Sequence, residues 1–205
     1  NRSAASRSLI DYRTLGYNPA VRLRRYCIAA LLYDWALYSV MTVIQLRATD
    51  LGATPAGLGG LQAFYAAVYI VMSVVMGRAA DRVSRPLMAR AGCLLLVACC
   101  VAIPRATSTT GFFAIMPVLA LAGTCFWPSL QGALGSEAPR ARLDRDLGLF
   151  NIFWSAGKAA GFLTGAAMKG ALGTQSALIA AGAGGVAIAI FYPRSDAARE
   201  TPRTA

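Results

Sequence analysis

The chain has 205 residues, of which 57% are hydrophobic and only 14% are charged, and its formal net charge is +11. This composition is too apolar for an ordinary soluble domain and indicates a protein that has lipid as its solvent. Histidine is absent and the five cysteines lie in apolar runs without a Cys-x-x-Cys pair, so we expect no metal site, no cofactor and no enzyme activity.

Six apolar stretches are each long enough to cross a bilayer as a helix, which takes about 20 residues. Charged residues and helix breakers separate them, and no segment alternates as a membrane strand would. We therefore predict an all-α polytopic membrane protein with six transmembrane helices. The predicted spans are 26–46, 57–76, 86–103, 111–134, 147–168 and 174–192.

The spans divide the chain into three segments. Residues 1–25 are expected to form a cytoplasmic amino-terminal tail, and residues 26–192 the six-helix transmembrane domain. Residues 193–205 are polar and charged, which is typical of a cytoplasmic tail or of a linker that joins two halves of a larger protein.

The basic residues fall mainly on one side of these spans. Sixteen arginines lie in the segments of one side, whereas the other side carries only Arg47, Arg105 and Lys169. Cytoplasmic segments retain such an excess of positive charge, so both termini are predicted to be cytoplasmic, in a cell (inner or plasma) membrane. The surplus then attracts anionic membrane lipids, and we do not expect a nucleic-acid partner.

The loop between the second and third spans has a recognisable spacing. A glycine is followed by three residues, an aspartate, a basic residue, two further residues and another arginine. This loop resembles the signature loop of the major facilitator superfamily, although Ser84 stands where that family usually has glycine. The matching residues, which form the candidate gating loop, are Gly77, Asp81, Arg82 and Arg85.

The resemblance implies a fold and a function. It implies a secondary transporter that moves a small-molecule solute by alternating access, with this chain as the amino-terminal half, built from two inverted three-helix repeats. In that family the loop latches the two halves together, so the resemblance implies that Asp81 gates. Gly77, by its residue type alone, is expected to allow close backbone approach at the end of its helix. Residues 126–132 and 150–157 resemble exporter-like members, but the arginine common in the fourth helix of proton-coupled drug exporters is absent from 111–134.

Polar residues on two spans indicate a solute pathway. In the first span, Asp34, Tyr38 and Gln45 lie on one helical face, and the fifth span carries a similar stripe that includes Lys158. Asp34 and Lys158 lie at similar predicted depths, so they are expected to meet, either as a structural ion pair or as a solute- or ion-binding site. The candidate pathway residues are Asp34, Tyr38, Gln45, Gln62, Gln131, Asn151, Trp154 and Lys158.

Two packing expectations follow from the same spans. Tyr33 and Trp35 are expected to face lipid. A stripe of small residues in the fifth span indicates close helix packing, and the resemblance implies that it faces the opposite half as a moving interface. The residues of this stripe are Gly157, Gly161 and Gly165.

Two alternatives remain open at this point. A six-span scaffold or assembly subunit without transport activity would satisfy Asp34 and Lys158 locally and would have no central cavity. A transporter would need a second six-helix half, which either follows in the same chain beyond residue 205 or comes from another subunit.

Overall fold

The computed structural model describes residues 19–80, 83–137 and 142–192, and these residues are helical apart from short connections. No strand occurs in these ranges, which confirms the all-α prediction for the described part of the chain. A single 3-10 turn, Ile103–Arg105, follows the third helix. The helices are α1 Pro19–Asp50, α2 Pro55–Ala80, α3 Arg85–Ala102, α4 Thr109–Glu137 and α5 Leu143–Phe191.

All five helices are long and apolar enough to cross a membrane. α1 begins at Pro19, seven residues before the predicted span, because hydropathy marks only the lipid-buried part of a helix. Its hydrogen bonds continue through the arginine-rich segment before Tyr26, where the unpaired N–H groups of the first turn can meet water. Proline suits the first turn of a helix, since its missing N–H needs no partner there.

α5 contains 49 residues and covers both the fifth and the sixth predicted spans. It is interrupted at Gly173, whose φ of 84° and ψ of 168° are not helical. Two residues on opposite sides of this interruption contact one side chain: Trp35 Nε1 donates to Thr164 Oγ1 at 2.8 Å, and a Cβ on Gly184 would lie 2.9 Å from the Trp35 ring. A straight helix would separate Thr164 and Gly184 by about 30 Å. The chain therefore folds back at Gly173, which divides α5 into a first and a second arm.

α1 lies at the centre of the bundle and α2 at its edge. The apolar window of α1 is 67% buried, whereas that of α2 is 6% buried. α1 packs mainly against both arms of α5, α3 packs against α4 and α5, and α2 packs against α4. The faces of α2 that α4 leaves uncovered are therefore available to lipid or to another protein surface.

Contacts at the two ends of the bundle show how the chain is arranged. Arg25 and Tyr192, near the two ends of the described chain, line one cavity. At the opposite end, the Lys169 ammonium lies 2.7 Å from Asp50 Oδ2. At this end Arg47 also donates to two carbonyl oxygens next to the loop that leads to α4, those of Pro104 and Ala106. The start of α1 and the finish of α5 thus lie at the same end of the bundle.

Candidate functional site

A cavity of about 500 Å³ lies among α1, α2, α4 and the first arm of α5. Four of the eight predicted pathway residues line it, namely Asp34, Tyr38, Gln131 and Trp154. The helical face predicted for α1 thus faces this cavity. The remaining lining residues are Leu37, Tyr65, Ala66, Tyr69, Ile70, Ser73, Trp127 and Pro128.

Asp34 is the acidic group of this cavity. Its side chain is fully buried, and neither carboxylate oxygen has a hydrogen-bond partner among the described residues. A buried carboxylate without partners costs several kcal/mol in an apolar setting, so proteins seldom retain one without a function. The carboxylate therefore borders the cavity with its hydrogen-bonding capacity unused.

Lys158 does not pair directly with Asp34. Its ammonium lies on two aromatic rings instead, 4.8 Å from the centroid of Tyr38 and 4.6 Å from that of Trp154. The expected meeting of the two charges as a structural ion pair is therefore wrong, because the ring faces provide the attraction that a carboxylate would otherwise supply. Both rings also line the cavity that Asp34 lines.

A second, smaller cavity of about 290 Å³ adjoins the first through Tyr38, which lines both. Gln45 of α1 and Gln62 of α2 also line it, together with Phe162. Gln45 and Gln62 therefore lie on the same side of the bundle as Asp34, although not in the same cavity. Asn151 is exposed and lines neither cavity.

The structure adds cavity residues, most of them aromatic, that were not predicted from the sequence. Tyr65, Tyr69 and Ser73 of α2 line the larger cavity, and so does Trp127 of α4. The spacing of i, i+4 and i+8 along α2 is a signal for one helical face, but tyrosines in an apolar span are equally common at membrane surfaces. Sequence alone did not separate these two roles.

Tyr33 and Trp35 do not face lipid, and that expectation is wrong. Tyr33 is fully buried, and its ring stacks on Phe126 with 3.7 Å between the centroids. The indole of Trp35 is held between the two arms of α5. Both side chains fix α1 in the centre of the bundle.

The candidate gating loop is described only in part. Arg85 Nη1 donates to Gly132 O at 3.1 Å and to Ser136 Oγ at 2.9 Å, which ties the start of α3 to the end of α4. A Cβ on Gly77 would meet nothing within 4 Å, so the close approach expected there is not found among the described residues. The other two residues of the motif, Asp81 and Arg82, lie outside the described ranges.

The glycine stripe of α5 lies directly against the backbone of α1. A Cβ on Gly157 would overlap the carbonyl oxygen of Leu31, and one on Gly161 would lie 2.6 Å from that of Trp35. Ser39 Oγ also donates to Gly161 O at 3.2 Å. The stripe therefore faces a helix of the same chain, and the expectation that it faces an opposite half is wrong. Its members are Gly157, Gly161 and Gly165.

Comparison with known families identifies one match. The family model described as Major Facilitator Superfamily matches residues 26–205, which is the whole chain except its first 25 residues. No curated protein matches the chain.

Proposed function

The chain belongs to the Major Facilitator Superfamily, and from this premise we propose that it is one six-crossing half of a secondary transporter that works by alternating access. Members of this superfamily are membrane transporters of small solutes rather than enzymes. The chain is accordingly an integral membrane protein, in agreement with its five long apolar helices.

The fold of α5 supports six crossings. An uninterrupted helix of 49 residues would extend for about 74 Å, more than twice the thickness of the hydrocarbon core. The reversal at Gly173 leaves two arms of about 30 and 18 residues. Each arm is close to the length that crosses a bilayer, and six crossings divide into the two inverted three-helix repeats that this superfamily implies.

The distribution of charge supports the orientation. Arg25 lies at the end of the bundle where the described chain begins and finishes, and Arg47 and Lys169 lie at the other end. Most of the arginines lie in the sequence segments that belong to the first of these two ends. The positive-inside rule therefore assigns that end to the cytoplasm. Both termini then lie in the cytoplasm, and the membrane is the inner or plasma membrane of the cell.

The observation that carries the proposal is the Asp34 carboxylate, which has no hydrogen-bond partner among the described residues and borders a cavity among α1, α2, α4 and α5. A scaffold subunit would bury such a group only with a local partner, since nothing would repay its desolvation. A transporter retains it because a solute or ion occupies the site during part of the cycle. Asp34 and the other cavity residues are therefore the proposed solute pathway.

Exposed apolar surface supports a second half. Large side chains of α2 and of the first arm of α5 are exposed, among them Ile70, Val71, Ile152 and Leu163. Lipid covers part of such a surface. In the proposed transporter the opposite half covers the part next to the cavity, whether it comes from the same polypeptide or from another subunit.

Two-sided access to the cavity tests this function without knowledge of the solute. In a chain whose five buried cysteines are replaced by alanine, Gln131→Cys places one thiol in the cavity. Alternating access predicts that a membrane-impermeant maleimide labels this thiol both in right-side-out and in inside-out vesicles. Labelling from one side alone, or from neither, would refute it.

Two matched positions serve as controls for that measurement. Ser84→Cys lies in the exposed connection between α2 and α3 and should react from the cytoplasmic side only. Thr124→Cys is fully buried in α4 and should react from neither side. If Thr124→Cys reacts, the vesicles contain unfolded protein and the preparation is repeated with a folded fraction.

A further inference from the structure

The chemistry of the larger cavity is unusual because one acid is surrounded by aromatic rings. Five of its twelve lining residues are tyrosine or tryptophan, and they include the pair Trp127 and Trp154, whose centroids are 5.5 Å apart. Tyr65 and Tyr69 form a second pair at 6.0 Å. Neither lysine nor arginine lines this cavity, and its other polar groups, Ser73 and Gln131, are neutral.

This combination of one acid and several aromatic rings favours a positively charged ligand. The face of an aromatic ring carries negative potential and attracts a cation within about 6 Å, most strongly where water is excluded. Asp34 adds an acidic group whose oxygens accept no hydrogen bond from the described residues. An anion would lose its hydration beside that carboxylate, so it is disfavoured, whereas an organic ammonium group gains both interactions.

Lys158 shows that two of these rings accept an ammonium group. Its Nζ rests on Tyr38 and Trp154, although Lys158 does not line the cavity itself. The lysine is therefore an internal cation held beside the site. It raises the cost of bringing a second cation to the same two rings.

We propose that the larger cavity binds a small organic cation, a protonated amine or a quaternary ammonium compound. Its charged head pairs with Asp34 and rests on the rings of Tyr65, Tyr69 and Trp127, which Lys158 leaves free. A volume of about 500 Å³ lies within the range of small-molecule pockets. This inference rests on the proposed transport function and names the class of solute that the same cavity takes.

Three probes of equal size test the charge requirement: 2-phenylethylammonium, the neutral 2-phenylethanol and the anion phenylacetate. Calorimetric titration of the purified chain in detergent should detect the ammonium probe and neither of the other two. Asp34→Asn should weaken its binding by at least about tenfold, because a charge-assisted interaction is lost. Asp50→Asn, an acid-to-amide change at the exposed end of the same helix, should leave the affinity unchanged.

If Asp34→Asn does not fold, substitutions of residues near Asp34 test the same inference. Lys158→Gln removes the neighbouring positive charge and should tighten binding by about threefold or more. Tyr65→Leu removes a ring and should weaken binding by about five- to tenfold, whereas Tyr65→Phe keeps the ring and should weaken it less. Tighter binding of phenylacetate than of the ammonium probe, or loss of ammonium binding in Lys158→Gln, would overturn the proposal.

The outcomes separate this inference from the proposed function. If Gln131→Cys is labelled from both sides while the ammonium probe does not bind, the transporter stands and the class of solute is wrong. If the probe binds but the cavity opens to one side only, the site is real and the transport function is wrong.

Discussion

Asp34 makes the folded chain less stable than a neutral residue of the same shape would. Its carboxylate is fully buried without a hydrogen-bond partner in the described residues, and the ammonium of Lys158 rests on aromatic rings instead. Removal of an uncompensated buried charge relieves a desolvation cost of about 1–3 kcal/mol. Functional sites commonly retain such a cost, whereas scaffolds do not.

Neutralisation of Asp34 is therefore predicted to stabilise the protein. Asp34→Asn should raise the midpoint of thermal unfolding in detergent by roughly 2–6 °C, because about 1–2 kcal/mol of this desolvation cost is removed while the buried polar amide keeps the rest. Asp50→Asn is the control and should lower the midpoint slightly, since it removes an exposed ion pair with Lys169. A lower midpoint for Asp34→Asn would mean that the carboxylate has a structural partner.

Residue by residue, the sequence was informative about chemistry and less so about orientation. A single aspartate within an apolar span identified Asp34, because charges are rare there. Tyr33 and Trp35 are its neighbours, and nothing in their residue type told whether they faced α5, α4 or lipid. That choice depends on the packing of helices distant in sequence, which hydropathy does not record.

The helices pack closely where side chains are smallest. α1 and the first arm of α5 meet along Gly157 and Gly161, where a Cβ would collide with main-chain oxygens of α1 rather than with flexible side chains. Lipid tails are as apolar as leucine, so helices in membranes associate through such close packing and through hydrogen bonds. The Ser39 hydroxyl, which donates to Gly161 O, adds one of these bonds.

A methyl group at this contact is predicted to be poorly tolerated. Gly157→Ala should lower the unfolding midpoint by several degrees, because overpacking against a rigid backbone costs about 1–3 kcal/mol. Gly170→Ala, in the same arm, is the control, since a Cβ there meets nothing within 4 Å. Equal effects of the two substitutions in a thermal-shift measurement would contradict the described contact between α1 and α5.

The reversal within α5 gives a second prediction at this scale. Gly173 has φ 84° and ψ 168°, a region that residues with a Cβ rarely adopt, whereas no contact limits the space around it. Gly173→Ala should therefore cost about 1–3 kcal/mol through backbone strain alone. Circular dichroism melting should show this loss, and a midpoint equal to that of Gly170→Ala would indicate that α5 does not turn there.

Sequence predicted the helical elements better than their ends and partners. The break between the last two predicted spans agrees with the position of Gly173, because loss of hydropathy and a glycine coincide there. α1 begins seven residues before the predicted span, since a helix can continue into water beyond its apolar part. The glycine stripe was identified from its spacing, but its partner was assigned by resemblance and proved to be α1.

At the scale of the whole molecule, composition predicted that the protein lies in lipid and that its fold class is all-α. Both predictions agree with the structure and the family match. The cavity was not predictable, because residues of four helices that are distant in sequence line it. Its aromatic lining from α2 was missed for the same reason. The number of crossings and their direction remain predictions that rest on the reversal in α5 and on the distribution of arginine.

The location of three single cysteines relative to the membrane tests the account most directly. Arg24→Cys and Phe191→Cys lie near the two ends of the described chain, and Gly170→Cys lies beside the reversal in α5; all three positions are exposed. With an impermeant thiol reagent, we predict that the first two react from the cytoplasmic face alone and the third from the opposite face alone. Reaction of Arg24→Cys and Phe191→Cys from opposite faces would contradict six crossings and, with them, the proposed transporter half.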